Sequence, residues 1–379
     1  VDLELGTDAE RFRDEVRTWL AEHVPAEPLP PMDTEEGAQA HRAWERQLAD
    51  ARLSVVSWPE EYGGRGVPLL EWLVFEDEYH AAGAPARIGQ NGLFLLAPTL
   101  FEHGTQQQRD RYLPRMARAE DVWAQAWSEP GAGSDLAAIR ATAVRTEGGW
   151  LLNGQKTWSS RAPIGDRAFG LFRTDPDASR HAGMTYFLFD LRAEGVTVRP
   201  ILHLDGRAGF AELFLDDVFV PDEDVLGEVG AGWRVAMSTT SSERGLSLRS
   251  PGRFLATAAR LVDLWREVGD PADTAMADRV TDAWITAQAY RLRTLGTVTT
   301  LAEGGALGPE SSIDKLTWSE LDLALHETAL DLLGPEAELT GRWTDGWLFA
   351  LSGPIYAGTN EIQRGVVAER LLGLPRGRR

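Results

Sequence analysis

The sequence contains no cysteine, which excludes disulfides, thiolate nucleophiles, Cys-ligated zinc and iron–sulfur clusters. Positive charge is scarce: 38 Lys+Arg face 58 Asp+Glu, for a formal net charge of −20. That balance does not favour the concentrated basic face a phosphate-binding surface requires, so no such surface and no nucleic-acid partner are expected. Lysine is rarer still, with Lys156 and Lys315 standing alone among arginines. No apolar run approaches the roughly 18 residues of a membrane helix, and no membrane span is expected. The opening Val1-Asp2-Leu3-Glu4 is acidic and lacks a secretion signal's basic and apolar regions, so the expected location is cytoplasmic. The seven histidines include no i,i+4 pair, and no metal site is expected.

What is present is an ordinary globular composition, 43% hydrophobic and 25% charged, over 379 residues. A chain of that length predicts two or three packed domains rather than one core. From Thr7 to about Glu120 the pattern is helical. Thr7-Asp8-Ala9-Glu10 reads as a capping box, followed at helical spacing by Phe12, Val16, Trp19 and Leu20. A proline-rich break over residues 25–31 precedes helical stretches at 41–52 and 69–82. From about Asp121 to Asp222 short alternating runs predict strands at 140–145, 150–152, 167–173, 184–191, 196–202 and 211–220. Glu147-Gly148-Gly149 and Asn153-Gly154 read as tight turns between them. Beyond Gly230 the helical period returns over 232–268, 272–304, 312–333 and 345–372. The expected class is α+β, with a helical part at 1–120, a β-barrel or sandwich at 121–225 and a helical bundle at 226–379.

Several familiar motifs fail on inspection. Gly154-Gln155-Lys156-Thr157 ends like a phosphate-binding loop, but Gln155 stands where glycine must precede the lysine. Gly131-Ala132-Gly133 has Leu136 in place of the third glycine of a dinucleotide fingerprint. No Gly-x-Ser-x-Gly elbow occurs. Three segments remain. Trp127-Ser128-Glu129-Pro130-Gly131-Ala132-Gly133-Ser134-Asp135 lets backbone N–H groups approach a planar or anionic ligand. Asn153-Gly154-Gln155-Lys156-Thr157-Trp158-Ser159-Ser160 places an indole among hydroxyls at a strand end. Tyr356-Ala357-Gly358-Thr359-Asn360-Glu361-Ile362-Gln363-Arg364 opens a helix capped by Thr359 or Asn360.

At these spacings the three segments resemble the acyl-CoA dehydrogenase family over essentially the whole chain. The resemblance implies an N-terminal helical domain, a middle β-domain and a C-terminal four-helix bundle, with FAD held where they meet. It implies oxidation of an acyl-CoA thioester to the trans-2-enoyl thioester. It also implies site residues: Trp127 and Ser128 on the flavin ring, Gly133 and Ser134 near the flavin phosphates and the bound thioester. Trp158 matches an indole packed on the isoalloxazine, and Ser160 a hydroxyl beside its N5. Thr359 and Glu361 match contacts to the FAD diphosphate and ribose, with Glu361 replacing a frequent glutamine.

Many members carry the catalytic glutamate directly before the Gly-Thr of the last segment, where this chain has Ala357. A minority place it on the first long helix of the C-terminal domain, just before an arginine. Ser241-Ser242-Glu243-Arg244 matches that position, so Glu243 is the implied base and Arg244 its partner or a contact to the coenzyme. Ala357 retains only its backbone N–H, which the resemblance aims at the thioester oxygen. Two cross-subunit cofactor elements are altered. An Arg-x-x-Phe-Gly-x-Pro loop becomes Arg266-Glu267-Val268-Gly269-Asp270-Pro271, and a Gln with a Gly-Gly pair becomes Asp331-Leu332-Leu333-Gly334-Pro335. The expected assembly is a homo-oligomer, or an α2β2 hetero-oligomer in which a homologous subunit supplies the missing contacts. The implied electron acceptor is an electron-transfer flavoprotein. Open alternatives are a flavin oxidase, a dehydrogenase of a carrier-protein thioester, and a base-supplying or scaffolding subunit.

Overall fold

The computed structural model describes residues 6–244, 250–305 and 307–375, with side chains left out over 241–244. Helices α1 (Thr7–His23), α2 (Glu35–Asp50), α3 (Leu69–Ala81), α4 (Ala97–His103) and α5 (Gln106–Ala117) come first. Strands β1 (Trp123–Ala126), β2 (Thr142–Thr146), β3 (Gly149–Ser160) and β4 (Arg167–Arg173) follow. Next come β5 (Met184–Asp190), β6 (Val196–Ile201), β7 (Phe210–Pro221) and β8 (Val225–Leu226). The chain then returns to helix in α6 (Gly232–Arg244), α7 (Pro251–Val268) and α8 (Thr274–Ala302). It closes with α9 (Ser311–Leu333), α10 (Arg342–Ala350) and α11 (Asn360–Val366). The α+β class and the helical, β, helical order expected from the sequence are what the structure has.

By internal contacts the residues fall into two compact units. The first comprises residues 1–26, 67–84 and 244–379, so α1 and α3 group with α7–α11. Its core is Phe254, Ala258, Leu261, Ala287, Tyr290, Trp318 and Leu325. Gly252 lets α7 lie against α3, since a Cβ there would sit 2.6 Å from the Glu76 carbonyl oxygen. The second unit, residues 27–66 and 85–243, contains α2, α4, α5, the sheet and α6.

The sheet runs β6-β7-β3-β2-β4-β5-β8, with β1 parallel to β4. β4 and β5 are apolar on both faces and buried along nearly their whole length. β7 alternates, as a strand covered on one side should. β3 departs from the sequence reading. Asn153-Gly154 is no turn: β3 continues through it, and the pairing with β7 slips between Leu152 and Gly154. Gly154 sits at φ 137°, where a Cβ would lie 2.6 Å from that of Ala141. The glycine serves a bulge.

Helix starts differ in part from those the sequence pattern predicts. Gly6, not Thr7, caps α1, and no side chain closes the cap, because Thr7 is already helical. Asp8 and Glu10 pair instead with Arg11 and Arg13. The true box lies at Thr105: its Oγ1 accepts from Gln108 N at 3.2 Å, and Gln108 Oε1 accepts from Thr105 N at 3.0 Å. The stretch read as one helix over 232–268 is α6 and α7, with Ser250 capping the second and Pro251 at its first position. The stretch read over 345–372 breaks between α10 and α11, a segment that contains Gly353-Pro354. Among the described residues no helix is long and apolar enough to cross a membrane. Thr105→Ala should lower stability by about 1 kcal/mol, while Thr7→Ala should change it by less than about 0.5 kcal/mol. Urea melts of both variants check this, and equal losses would contradict the cap assignment.

Candidate active site

In the β-containing unit the site begins with Lys156. The β3 register shift between Lys156 and Ser159 turns Lys156 fully inward, at 0% exposure. Its Nζ donates to Glu129 Oε1 at 2.8 Å, Leu171 O at 2.7 Å and Trp127 O at 3.4 Å, and lies 4.7 Å from the Phe172 ring centre. All three ammonium donors are thereby used. Burial pushes the ammonium down to about 8, while the Glu129 carboxylate pulls the other way. Glu129 also accepts from Arg140 N at 2.6 Å and Ala141 N at 3.0 Å. Ser128 O accepts from Thr157 N at 2.8 Å. The Trp127–Asp135 segment is therefore stitched to β3 at Lys156 and Thr157, and through Glu129 to the start of β2. Gly133 and Ser134 stay exposed beyond this stitch.

Two indoles flank the same stitch. Trp127 is 6% exposed, and its Nε1 has no hydrogen-bond partner among the described residues. Trp158 is 58% exposed and sits at φ 57°, a left-handed conformation costly for a bulky side chain. A buried donor awaiting an acceptor and an uncovered indole are what a planar, heteroatom-bearing ring would satisfy, so the residues present fit a flavin. Ser160 is half-buried, and its carbonyl accepts from Asn91 Nδ2 at 3.1 Å. Arg161 follows at φ 67°, with its guanidinium pushed down to about 10 by burial.

The helix carrying Glu243 belongs to this unit. Trp127 packs edge-on against Tyr186, ring centres 6.2 Å apart. The Tyr186 hydroxyl meets Thr239 Oγ1 on α6 at 3.2 Å, and Thr239 meets Thr99 on α4 at 2.8 Å. His103 Nε2 meets Ser238 Oγ at 2.8 Å. Glu243 stands four residues, about one turn, beyond Thr239 on α6. The side chains of Glu243 and Arg244 lie outside the described residues.

In the helical unit a second lysine repeats the device. Lys315 on α9 is fully buried and donates to Asn360 Oδ1 at 2.6 Å and Gly353 O at 2.9 Å. Ser319 Oγ donates to the same Asn360 oxygen at 3.0 Å. Asn360 is thus an anchor; the cap of α11 is Thr359, whose hydroxyl accepts from Ile362 N at 3.2 Å. Ala357 takes φ 56° and Gly358 φ 80°, and Gln363 Nε2 holds the Ala357 carbonyl at 2.9 Å. Glu361 is exposed, with its carboxyl held below the usual range by its own backbone N–H and by Thr359. Asp331 is ion-paired to Arg279 at 2.7 Å. Lys156, Glu129, Tyr186, Thr239 and Lys315 were not singled out from sequence as site supports. The signal available was the rarity of lysine itself.

The stitched sheet and its two tryptophans fit a flavin, in a chain of α–β–α order. Family models agree along its length: acyl-CoA dehydrogenase N-terminal domain at residues 6–120, middle domain at 124–218 and C-terminal domain at 230–372. The chain belongs to the acyl-CoA dehydrogenase family, FAD-dependent oxidoreductases acting on acyl-CoA. It is similar to acyl-CoA dehydrogenase IpdE1 of Mycobacterium tuberculosis, 40% identical over 384 residues, covering 97% of this chain and 98% of that one. Acyl-CoA dehydrogenase FadE34 of the same organism is 40% identical over 339 residues, 87% of this chain and 46% of that one. Among solved structures, the Tcur3481-Tcur3483 steroid ACAD superposes with a TM-score of 0.88 at 25% identity, covering 100% of both chains. The ChsE4-ChsE5 complex from Mycobacterium tuberculosis gives 0.83 at 27% identity, also covering 100% of both.

Lys156→Met should strand the Glu129 carboxylate in the sheet and cost on the order of 3 kcal/mol. Flavin content, read near 450 nm, should fall with it. Adding Glu129→Gln should recover part of both losses. A single variant with full stability and full flavin content would remove Lys156 from the account of the site.

Proposed function

We propose that this chain carries out α,β-dehydrogenation of an acyl-CoA thioester with Glu243 as the base. The observation that carries the reading is the line from Trp127 through Tyr186 to Thr239, which ties the flavin segment to the helix bearing Glu243. Ala357 cannot take a proton. Glu243 removes the α-proton, and the Ala357 backbone N–H is assigned to the thioester oxygen, where negative charge develops. Bound FAD would supply the acceptor for the β-hydrogen as hydride, giving the trans-2-enoyl thioester, with an electron-transfer flavoprotein as the proposed electron acceptor. Trp127, Ser128, Trp158 and Ser160 are assigned to the flavin ring, Gly133 and Ser134 to its phosphates and the thioester, and Thr359 and Glu361 to the diphosphate and ribose. Arg244 is assigned to the base or the coenzyme. The steroid ACAD among the structural relatives favours a bulky, ring-bearing acyl group over a straight chain.

Glu243→Gln, nearly isosteric, should leave folding and flavin content unchanged and lower turnover by about 10³-fold. Turnover is followed with a dye acceptor under anaerobic conditions, which separates a dehydrogenase from an oxidase. A variant that keeps most of its activity would remove Glu243 as the base.

Assembly follows the same reading. We infer a hetero-oligomer with a homologous subunit, as in the Tcur3481-Tcur3483 and ChsE4-ChsE5 complexes. Its support here is the loss of two cofactor donors: the Gln amide is replaced by Asp331, and Pro335 brings no N–H. The chain expressed alone should carry well under one FAD per polypeptide, and co-expression with a homologue retaining the Arg-x-x-Phe-Gly loop should raise flavin content. Native mass with flavin-to-protein stoichiometry measures both. A stable homo-oligomer with one FAD per chain would end the heteromer reading and leave the dehydrogenase reading standing.

A further inference from the structure

A cavity of about 310 Å³ opens in the helical unit where α3, α7, α9 and α10 meet. His80, Thr257, Arg260, His326, Arg342 and Trp343 line it. The other arginines of α7 are paired, Arg253 with Asp322 at 2.5 Å and Arg266 with Asp263 at 3.1 Å, and Arg291 of neighbouring α8 is paired with Asp77 of α3 at 2.9 Å. Arg260 and Arg342 are not. Among the described residues neither has a carboxylate partner, and Arg260 donates to the Thr257 hydroxyl at 3.0 Å. Burial, Arg342 and Arg253 all disfavour the Arg260 charge, so the two cavity arginines repel each other. The nearby acids are engaged elsewhere, Glu76 with His80 at 3.6 Å and Asp322 with Arg253 and His326. Helix α10 starts at Arg342 behind Gly341, with no side chain capping its first N–H groups. In a chain of net charge −20, two repelling guanidinium groups left together in a concave wall call for an anion.

We propose that this cavity binds a phosphate or diphosphate group, held by Arg260 and Arg342. Free pyrophosphate and a nucleotide present the same chemistry; the Trp343 indole distinguishes them, because only a nucleotide can stack a base on it. The proposal is independent of the dehydrogenase reading, since every residue it uses lies outside the assigned flavin and thioester positions.

The test is calorimetric titration of pyrophosphate, and separately of ADP, into the purified protein in its isolated assembly, at low salt. Saturable pyrophosphate binding is expected, about tenfold weaker in Arg260→Gln and in Arg342→Gln. Flavin content and the KM for acyl-CoA should not change in either variant, which excludes binding at the cofactor or substrate site. Tighter binding of ADP, lost in Trp343→Ala, identifies a nucleotide; equal binding of the two probes identifies the free phosphate compound. A second readout covers stability. Without anion, each Arg→Gln variant should melt higher than the wild type because repulsion is relieved. Pyrophosphate should raise the melting temperature of the wild type but not of the double variant. Absence of saturable pyrophosphate binding, or equal binding in the double variant, would overturn the proposal.

Discussion

The site segments depend on two buried ammonium groups. Lys156 and Lys315 are the chain's entire complement of lysine, and both are fully buried. Each reaches across a long stretch of sequence to a segment that carries proposed site residues. Lys156 binds Trp127 and Glu129, and Lys315 binds Gly353 and Asn360. A buried cation is expensive unless its donors are matched, and a buried ion pair adds little net stability over an apolar substitute. What these contacts fix is position. A carbonyl or carboxylate that must meet an inflexible point donor leaves its loop few alternative paths. Arginine could not replace them without a wider slot, because its planar fork needs room for five N–H groups.

Fixed position is also what lets strained backbone persist. Trp158 and Ala357 both occupy left-handed conformations that alanine or tryptophan would leave if free. Such residues cost on the order of 1 kcal/mol or more each, and they survive where the surroundings over-determine them. Trp158 lies two residues beyond Lys156, inside the register shift, with Ser159 buried on its far side. Ala357 lies between Gly353 and Asn360, both held by Lys315, and its carbonyl is held by Gln363. Arg52, Ala119, Arg161 and Asp217 share the left-handed conformation, but Trp158 and Ala357 are the two that fall in the segments assigned to cofactor and substrate.

Local pattern carried the elements, and long-range contacts carried the site. Strand β4 was legible to the residue, and β5, β6 and β7 to within one or two, because alternation and turn residues act over a few positions. Asn153-Gly154 misled because the same glycine conformation that closes a hairpin also opens a bulge, and only the partner strand decides which. Thr7 misled because its acids had arginine partners one turn on. Lys156 looked like a failed phosphate loop. Its real partners, 27 and 15 residues away, are invisible to any local window. The three site segments were legible as motifs, but the ties through Tyr186 and Thr239 are side-chain contacts between elements that share no local pattern.

The Arg279–Asp331 pair changes the physical meaning of the altered cofactor segment. Read from sequence, Asp331 sets a negative charge where a diphosphate needs a donor. In the structure the carboxylate faces Arg279 at 2.7 Å, so the pair carries little net charge, and with both side chains partly exposed salt and water screen what field remains. Repulsion is then a small term. The deficit at this segment is the absence of N–H donors, since a carboxylate can only accept and Pro335 has no N–H at all. A missing donor and a repelling charge differ in their remedy. Added salt would relieve repulsion, whereas a missing donor is made good by another N–H or O–H group, which the proposed partner subunit would bring. With Asp331 neutralised by Arg279, what the proposed partner subunit would supply at this segment is hydrogen-bond donors rather than positive charge.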